Sequence, residues 1–185
     1  MKQLSGTMKS LYSGGVFDFL NPENSTYGIE DIAHALSNIC RFGGHVRYHY
    51  SVAQHCVLAS HYTKKLEFSY DILMHDAAEA FLGDIPTPLK ALLPDYKVIE
   101  ERVERDICKR YMIQYPFHPE VKAIDRVMLC AEQKALVVNQ EDWGFSEEEH
   151  KASRRIRIDP WTFPQAKNAF LMRFWELRNA MEKVA

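Results

Sequence analysis

The apolar residues of the chain follow mainly the spacing of amphipathic helices. Apolar positions three or four residues apart predict helices over 29–43, 51–66, 69–83, 94–112, 119–135 and 163–184, with a shorter helix over 89–93. The stretch 1–28 is rich in Gly, Ser and Asn and predicts at most a short N-terminal hairpin, and 141–159 predicts a polar loop. The pattern therefore indicates an all-α fold, a bundle of six or seven helices.

Length and composition fit one globular domain. The 185 residues include 46% hydrophobic and 26% charged residues, close to the averages of globular proteins. Neither a repeat nor a low-complexity linker divides the chain. We expect a single domain over 1–185, with a core over 29–138 and a loop and final helix over 139–185.

Charge and cysteine content exclude several classes of protein. The formal net charge of −2 gives no overall attraction to a nucleic acid polymer or an anionic membrane. No apolar run reaches the length of a membrane span, and 1–9 lacks the features of a secretory signal. Four widely spaced cysteines, in apolar helical patterns, indicate buried thiols rather than disulfides. We expect a cytoplasmic protein.

One dipeptide carries an unusual charge for its surroundings. Asp76 follows His75 within a segment otherwise made of Ala, Leu and Met. A buried carboxylate without a partner costs several kcal/mol or more, so something must compensate it. On the dipeptide alone, a structural role at a helix end or beside an arginine is a better explanation than a metal.

Two further residues of the same kind favour the metal. His55 lies on a stripe of small residues in the second predicted helix, and Asp125 lies on an apolar face of a later one. Imidazole and carboxylate together suit one divalent ion, with Co, Mn, Fe, Ni or Zn a better match than Mg.

These segments resemble the ligand blocks of the HD-domain phosphohydrolases. That signature is a His, then a His-Asp pair, then a distant Asp, and it is matched by His55, His75, Asp76 and Asp125. The resemblance covers about 29–135 and is strongest to small nucleotide phosphohydrolases of the 5′-deoxynucleotidase kind. It implies a single HD domain whose four ligands hold one metal. The implied substrates are deoxynucleotides or adenosine-like nucleotides carrying one, two or three phosphates.

The resemblance also implies roles for acidic residues beside the ligands. Glu79 follows His75 by one helical turn, where it would act as general acid or base. Asp84, between Gly83 and a proline-rich turn, would assist catalysis. Without the resemblance, a surface glutamate and a turn residue are the ordinary explanations.

Basic and aromatic residues are candidates for substrate binding. Arg41 offers forked donors to phosphate, as a catalytic and binding group, and Phe42 offers a flat face to a base. The family usually has Trp at the position of Phe42, which leaves the base preference open. His45 is a phosphate-contact candidate on a predicted turn or strand. Lys122 and Arg126 flank Asp125 and either meet the β- and γ-phosphates of a longer substrate or form a solvated pair.

Other functions stay open on sequence alone. One alternative is a deoxynucleoside triphosphate triphosphohydrolase that releases triphosphate, and another is a non-catalytic nucleotide-binding HD module. A di-metal HD oxygenase or cyclic-dinucleotide phosphodiesterase would need further histidines before Asp125, where only His118 occurs. The charged helix 94–112 and the aromatic residues Phe170, Phe174 and Trp175 either form a homodimer surface or complete the core.

Overall fold

The computed structural model describes residues 6–63 and 65–183, which are mainly helical. Two short strands, β1 (Met8–Ser10) and β2 (Val16–Asp18), pair antiparallel with Met8 opposite Asp18. The α-helices are α1 (Ile29–Asn38), α2 (Val52–Ser60), α3 (Leu66–Met74), α4 (Glu79–Leu82), α5 (Thr87–Lys90), α6 (Pro94–Tyr111), α7 (Pro119–Leu136), α8 (Glu147–Ser153) and α9 (Phe163–Glu182). The all-α class and the N-terminal hairpin are as the sequence pattern predicts.

Long-range pairing ends the first helix earlier than predicted. The amide of Arg41 donates to the carbonyl of Tyr50 at 2.9 Å, and the amide of Val52 donates to Ile39 at 3.0 Å. These bonds require extended backbone at Ile39, so α1 stops at Asn38 rather than near 43. A 3₁₀ turn over Arg41–Gly44 follows. The hydrogen bond to Tyr50 places Arg41 beside the start of α2.

The helices around the His-Asp pair also differ from the prediction. The helix predicted over 69–83 begins at Leu66 and ends at Met74, so the pair lies in the turn 75–78 before α4. Gly83, with φ of 85°, ends α4. The prediction of a polar loop is wrong for Glu147–Ser153, where Ser146 and Glu149 form a capping box at the start of a mainly polar helix. Because α8 is added and the helix predicted over 69–83 is divided into α3 and α4, the described residues form nine α-helices rather than the six or seven predicted.

The main core lies between α1, α2, α3, α6 and α9. The ring of Phe17 on β2 stacks on Phe81 of α4 with centroids 3.9 Å apart, which attaches the hairpin to the helices. Phe170 and Phe174 of α9 are buried in this core, whereas Trp175 is half exposed. The four cysteines are free thiols. No helix among residues 6–63 and 65–183 has both the length and the apolar character needed to cross a membrane.

Asp71 gives the fold a pH-dependent weakness away from the His-Asp pair. It lies on α3, is 6% exposed, and burial with a smaller effect of Glu67 raises its pKa to about 6. In the unfolded chain the group titrates near its usual 3.8, so stability falls as pH rises from about 4 to about 6. Above about pH 6 the loss of stability is complete and no longer changes with pH.

Replacing Asp71 with asparagine removes this titration. We expect Asp71→Asn to raise the free energy of unfolding by about 2 kcal/mol at pH 7.5, with little effect below pH 4. Urea denaturation across pH 4–8 measures it, and Glu101→Gln, at an exposed residue of α6, is the matched control. A difference that does not change with pH would contradict the expectation.

Candidate metal centre and adjoining cavity

Local structure points His55 and His75 toward a common point. Ser51 caps α2 by accepting a hydrogen bond from the amide of Gln54 at 3.2 Å, which places His55 in the first turn with its side chain fully buried. The Nδ1 atom of His75 donates to the carbonyl of Ile72 at 2.7 Å. Each imidazole thereby presents Nε2 to the other.

Four donor atoms surround this point. The two Nε2 atoms are 3.4 Å apart, and Asp76 approaches them with oxygens at 3.6 Å from His55 and 3.1 Å from His75. The Oδ1 atom of Asp125 lies 3.2 Å from Nε2 of His55 and 3.8 Å from that of His75. His55, His75 and Asp76 together form a group able to hold a metal ion.

The spacing fits a small divalent ion. Donors bound at about 2.1 Å lie about 3.0 to 3.4 Å from one another in octahedral or tetrahedral coordination, and each carboxylate here lies 3.1 to 3.8 Å from the two Nε2 atoms. His55, His75 and Asp76 form the compact group, and Asp125 approaches it from the side of the histidines. Two neutral imidazoles and two carboxylates carry a charge that a divalent cation balances. Burial would raise the pKa of Asp125, but the adjacent His55 and His75 hold it well below the usual range, so a carboxylate is available.

Glu132 supports this group from behind and was not predicted from the sequence. It is fully buried on α7, and its Oε1 accepts a hydrogen bond from Nδ1 of His55 at 2.5 Å. Its Oε2 accepts from Nε and Nη2 of Arg41 at 3.2 and 3.1 Å. Burial alone would raise the pKa of Glu132, but Arg41 and His55 lower it to about 2. The carboxylate therefore orients both side chains.

A sequence signal for Glu132 existed in its spacing. It follows Asp125 by seven residues, two helical turns, and so shares its helix face. Between them, Met128 and Ala131 are buried on α7. A glutamate that continues the face of a candidate ligand indicates a buried polar partner.

A cavity of about 560 Å³ opens beside the donor atoms. Arg41, Phe42, Asp76, Glu79, Asp84 and Asp125 line it, all of them residues chosen from the sequence. Its lining also includes the turn 85–88, Lys90, Leu129 and Trp143. The structure thus gathers the three predicted catalytic residues, two of the four predicted metal ligands and the predicted aromatic residue around one space.

Glu79 is the least satisfied acid of this cavity. It is buried at the start of α4, and its Oε2 has no hydrogen-bond partner among the described residues. Burial, and then the nearby charges of Asp76 and Asp84, raise its pKa well above the ordinary value. A carboxyl group in this environment keeps its proton to higher pH than an exposed glutamate does, and it is therefore suited to proton donation.

Asp84 links the segment after α4 to the 3₁₀ turn that contains Phe42. Its Oδ2 accepts a hydrogen bond from the amide of Phe42 at 3.2 Å. Phe42 has φ of 58°, a left-handed backbone conformation that costs a bulky residue about 1 to 3 kcal/mol. The guanidinium carbon of Arg41 lies 5.6 Å from the centre of its ring. The strained turn thereby keeps this ring at the cavity.

Three predicted substrate contacts lie outside the cavity lining. His45 and Lys122 are exposed. Arg126 donates to Glu149 at 2.6 Å and to the carbonyl of Gly144 at 3.1 Å, so it holds α8 and the loop before it. Phosphate contacts by these residues stay predictions without support from this geometry.

Lys90 and Trp143 are the cavity residues that sequence reasoning missed. Lys90, on α5, donates to Glu100 at 2.6 Å. Trp143 lies in the segment predicted as a polar loop. Both belong to parts of the chain that contain no ligand motif, so the sequence pattern did not point to them.

Comparison with known proteins places the chain among bacterial relatives. No family model matches it. It is 39% identical over 166 residues to YfdR of Escherichia coli, covering 90% of this chain and 93% of the relative. It is 31% identical over 152 residues to a protein of Rhodobacter capsulatus, covering 75% of this chain and 74% of that protein. Both relatives are described as uncharacterized, so neither supplies an activity.

Proposed function

The chain belongs to the family of Escherichia coli YfdR, and we propose that it is an HD-domain phosphohydrolase that removes phosphate from a nucleotide. The proposed substrates are (deoxy)adenosine-like nucleotides with one to three phosphates. One observation carries this proposal. Two histidines and two carboxylates, each carboxylate 3.1 to 3.8 Å from the imidazole Nε2 atoms, adjoin a cavity that also holds a buried carboxyl oxygen without a hydrogen-bond partner among the described residues.

The donor atoms define what the metal would contribute. His55, His75, Asp76 and Asp125 would hold one divalent ion, which when bound supplies a water of lowered pKa and neutralises charge on the scissile phosphate. Glu132 holds His55 in the tautomer whose Nε2 is free to bind. These ligands exist as neighbours only because α2, α7 and the turn 75–78 converge.

The other polar residues suit proton transfer and phosphate orientation. Glu79 holds a proton that the leaving oxygen of the ester needs when the bond to phosphorus breaks. Arg41 bonds to Glu132 through Nε and Nη2, so Nη1, 3.4 Å from Asp76, is the part of its guanidinium suited to a phosphate oxygen. Asp84 keeps the Arg41 turn in place through the amide of Phe42.

The experiment is phosphate release by metal-stripped and reconstituted protein. Purified protein treated with a chelator and then loaded with Mn²⁺, Co²⁺ or Mg²⁺ is given deoxynucleoside mono-, di- and triphosphates. We expect release with the transition ions, loss of at least about a hundredfold on chelation, and recovery on reloading. Chromatography of the products distinguishes stepwise removal of phosphate from release of triphosphate.

Two results would contradict the proposal. Release that survives complete chelation would separate the activity from the metal centre. Binding of metal and nucleotide without release under any condition would indicate the non-catalytic module instead. The metal content of the protein as purified, measured by elemental analysis, tests the centre independently of activity.

A further inference from the structure

The lining of the cavity beside the metal centre combines two chemically different kinds of residue. Asp76, Glu79 and Asp125 are acidic. The apolar members of the lining are Phe42, Ile85, Pro86, Leu129 and Trp143. A ligand that contacts both kinds must combine a group attracted to a metal with a flat or apolar part.

Trp143 reaches this cavity from a loop that two side chains of α7 hold on both sides of it. Before it, the side chain of Gln133 donates to the carbonyl of Glu141 at 2.6 Å. After it, Arg126 donates to the carbonyl of Gly144 at 3.1 Å, where φ is 71°. The ring of Phe145, the other aromatic residue of this loop, lies 5.2 Å from the guanidinium of Arg126. Trp143 is the aromatic residue of the loop that lines the cavity, and it lies between the two anchors.

Trp143 and Phe42 face each other without stacking. Their ring centroids are 6.1 Å apart and their planes are inclined by 42°. Trp143 is 38% exposed, and it stacks closely on neither Phe42 nor Phe145. Two inclined rings leave aromatic surface available to a third planar group. Such surfaces bind nucleobases of any sequence by stacking.

We propose that Trp143, together with Phe42, forms the binding site for the nucleobase of the substrate. This planar ring belongs to the nucleoside or nucleotide that leaves when phosphate is removed. This inference rests on the proposed function for the position of the phosphate ester, and it assigns to the α7–α8 loop the preference for ring-bearing phosphate esters. Phosphate esters without a ring make no stacking contact with Trp143 or Phe42, so these two side chains do not strengthen their binding.

The test compares two substrates that differ in the ring. Phosphate release from dAMP and from glycerol 1-phosphate is measured for the wild type, Trp143→Ala, Trp143→Phe and the matched control Trp175→Ala, whose side chain is 51% exposed on α9. We expect Trp143→Ala to lower kcat/KM for dAMP roughly 10- to 100-fold. Release from glycerol phosphate should change less than about threefold, Trp143→Phe should keep most of the activity, and Trp175→Ala should behave as wild type.

The outcomes separate this inference from the proposed function. An equal fall with both esters, or no fall with dAMP, overturns the role of Trp143 while leaving the hydrolase in place. If the wild type releases phosphate from neither ester, the panel of di- and triphosphates decides the proposed function separately, and equilibrium dialysis of labelled dAMP decides the inference. Tighter binding by wild type than by Trp143→Ala then supports it, and equal or absent binding overturns it.

Discussion

Glu132→Ala is expected to lower the free energy of unfolding by about 3 to 5 kcal/mol, because it leaves a buried guanidinium without its partner. Nε and Nη2 of Arg41 both donate to this carboxylate, and Nδ1 of His55 donates to its other oxygen. All three side chains are buried, so water does not replace the lost acceptor at little cost. Urea denaturation followed by circular dichroism measures the change.

Two further variants separate charge from burial. Glu132→Gln keeps an acceptor for His55 but removes the negative charge opposite Arg41, so we expect a loss between that of alanine and zero. Glu101→Ala removes an exposed glutamate from α6 and should change stability by less than about 0.5 kcal/mol. If Glu132→Ala unfolded at the same urea concentration as Glu101→Ala, the supporting role of Glu132 would be refuted.

His75→Ala is expected to abolish metal binding and to lower phosphate release about a thousandfold or more, which corresponds to about 4 kcal/mol of barrier. The imidazole supplies one of four donors, and Ile72 fixes its orientation. Without it, His55 is the one imidazole left beside the two carboxylates. Elemental analysis and Co²⁺ dialysis measure binding separately from turnover.

A matched histidine provides the control for this variant. His61 is exposed at the end of α2, outside the donor group, so His61→Ala should bind metal and release phosphate as the wild type does. Full metal occupancy in His75→Ala would show that the ligand set is assigned wrongly, whatever its activity.

The residues of the donor group were predictable because their types restrict their chemistry. His75 and Asp76 stand in an apolar segment, and only a few environments stabilise such a pair. Glu132 was not predicted, because its partners lie 91 and 77 residues away in the chain and meet it only through packing. Local spacing indicated which face of α7 is buried but not which side chain completes it.

The helix ends show the same division between local and long-range causes. The apolar period of α1 continues past Asn38, yet the pairing of 39–41 with 50–52 stops the helix there. The capping box of α8 was visible in the sequence as Ser146 and Glu149, but a helix with no apolar stripe gives no period to detect. Hydrophobic period predicts helices that build the core better than those on the surface.

The left-handed backbone at Phe42 makes opposing demands on a single residue. Glycine there would relieve the conformational cost and would be favoured by selection for stability alone. The ring would then be lost from the cavity that Trp143 also lines. A trade-off between stability and ligand recognition is thus concentrated at one position of the chain. Laboratory evolution for heat resistance would be expected to sacrifice this side chain early, and selection for substrate discrimination to retain it.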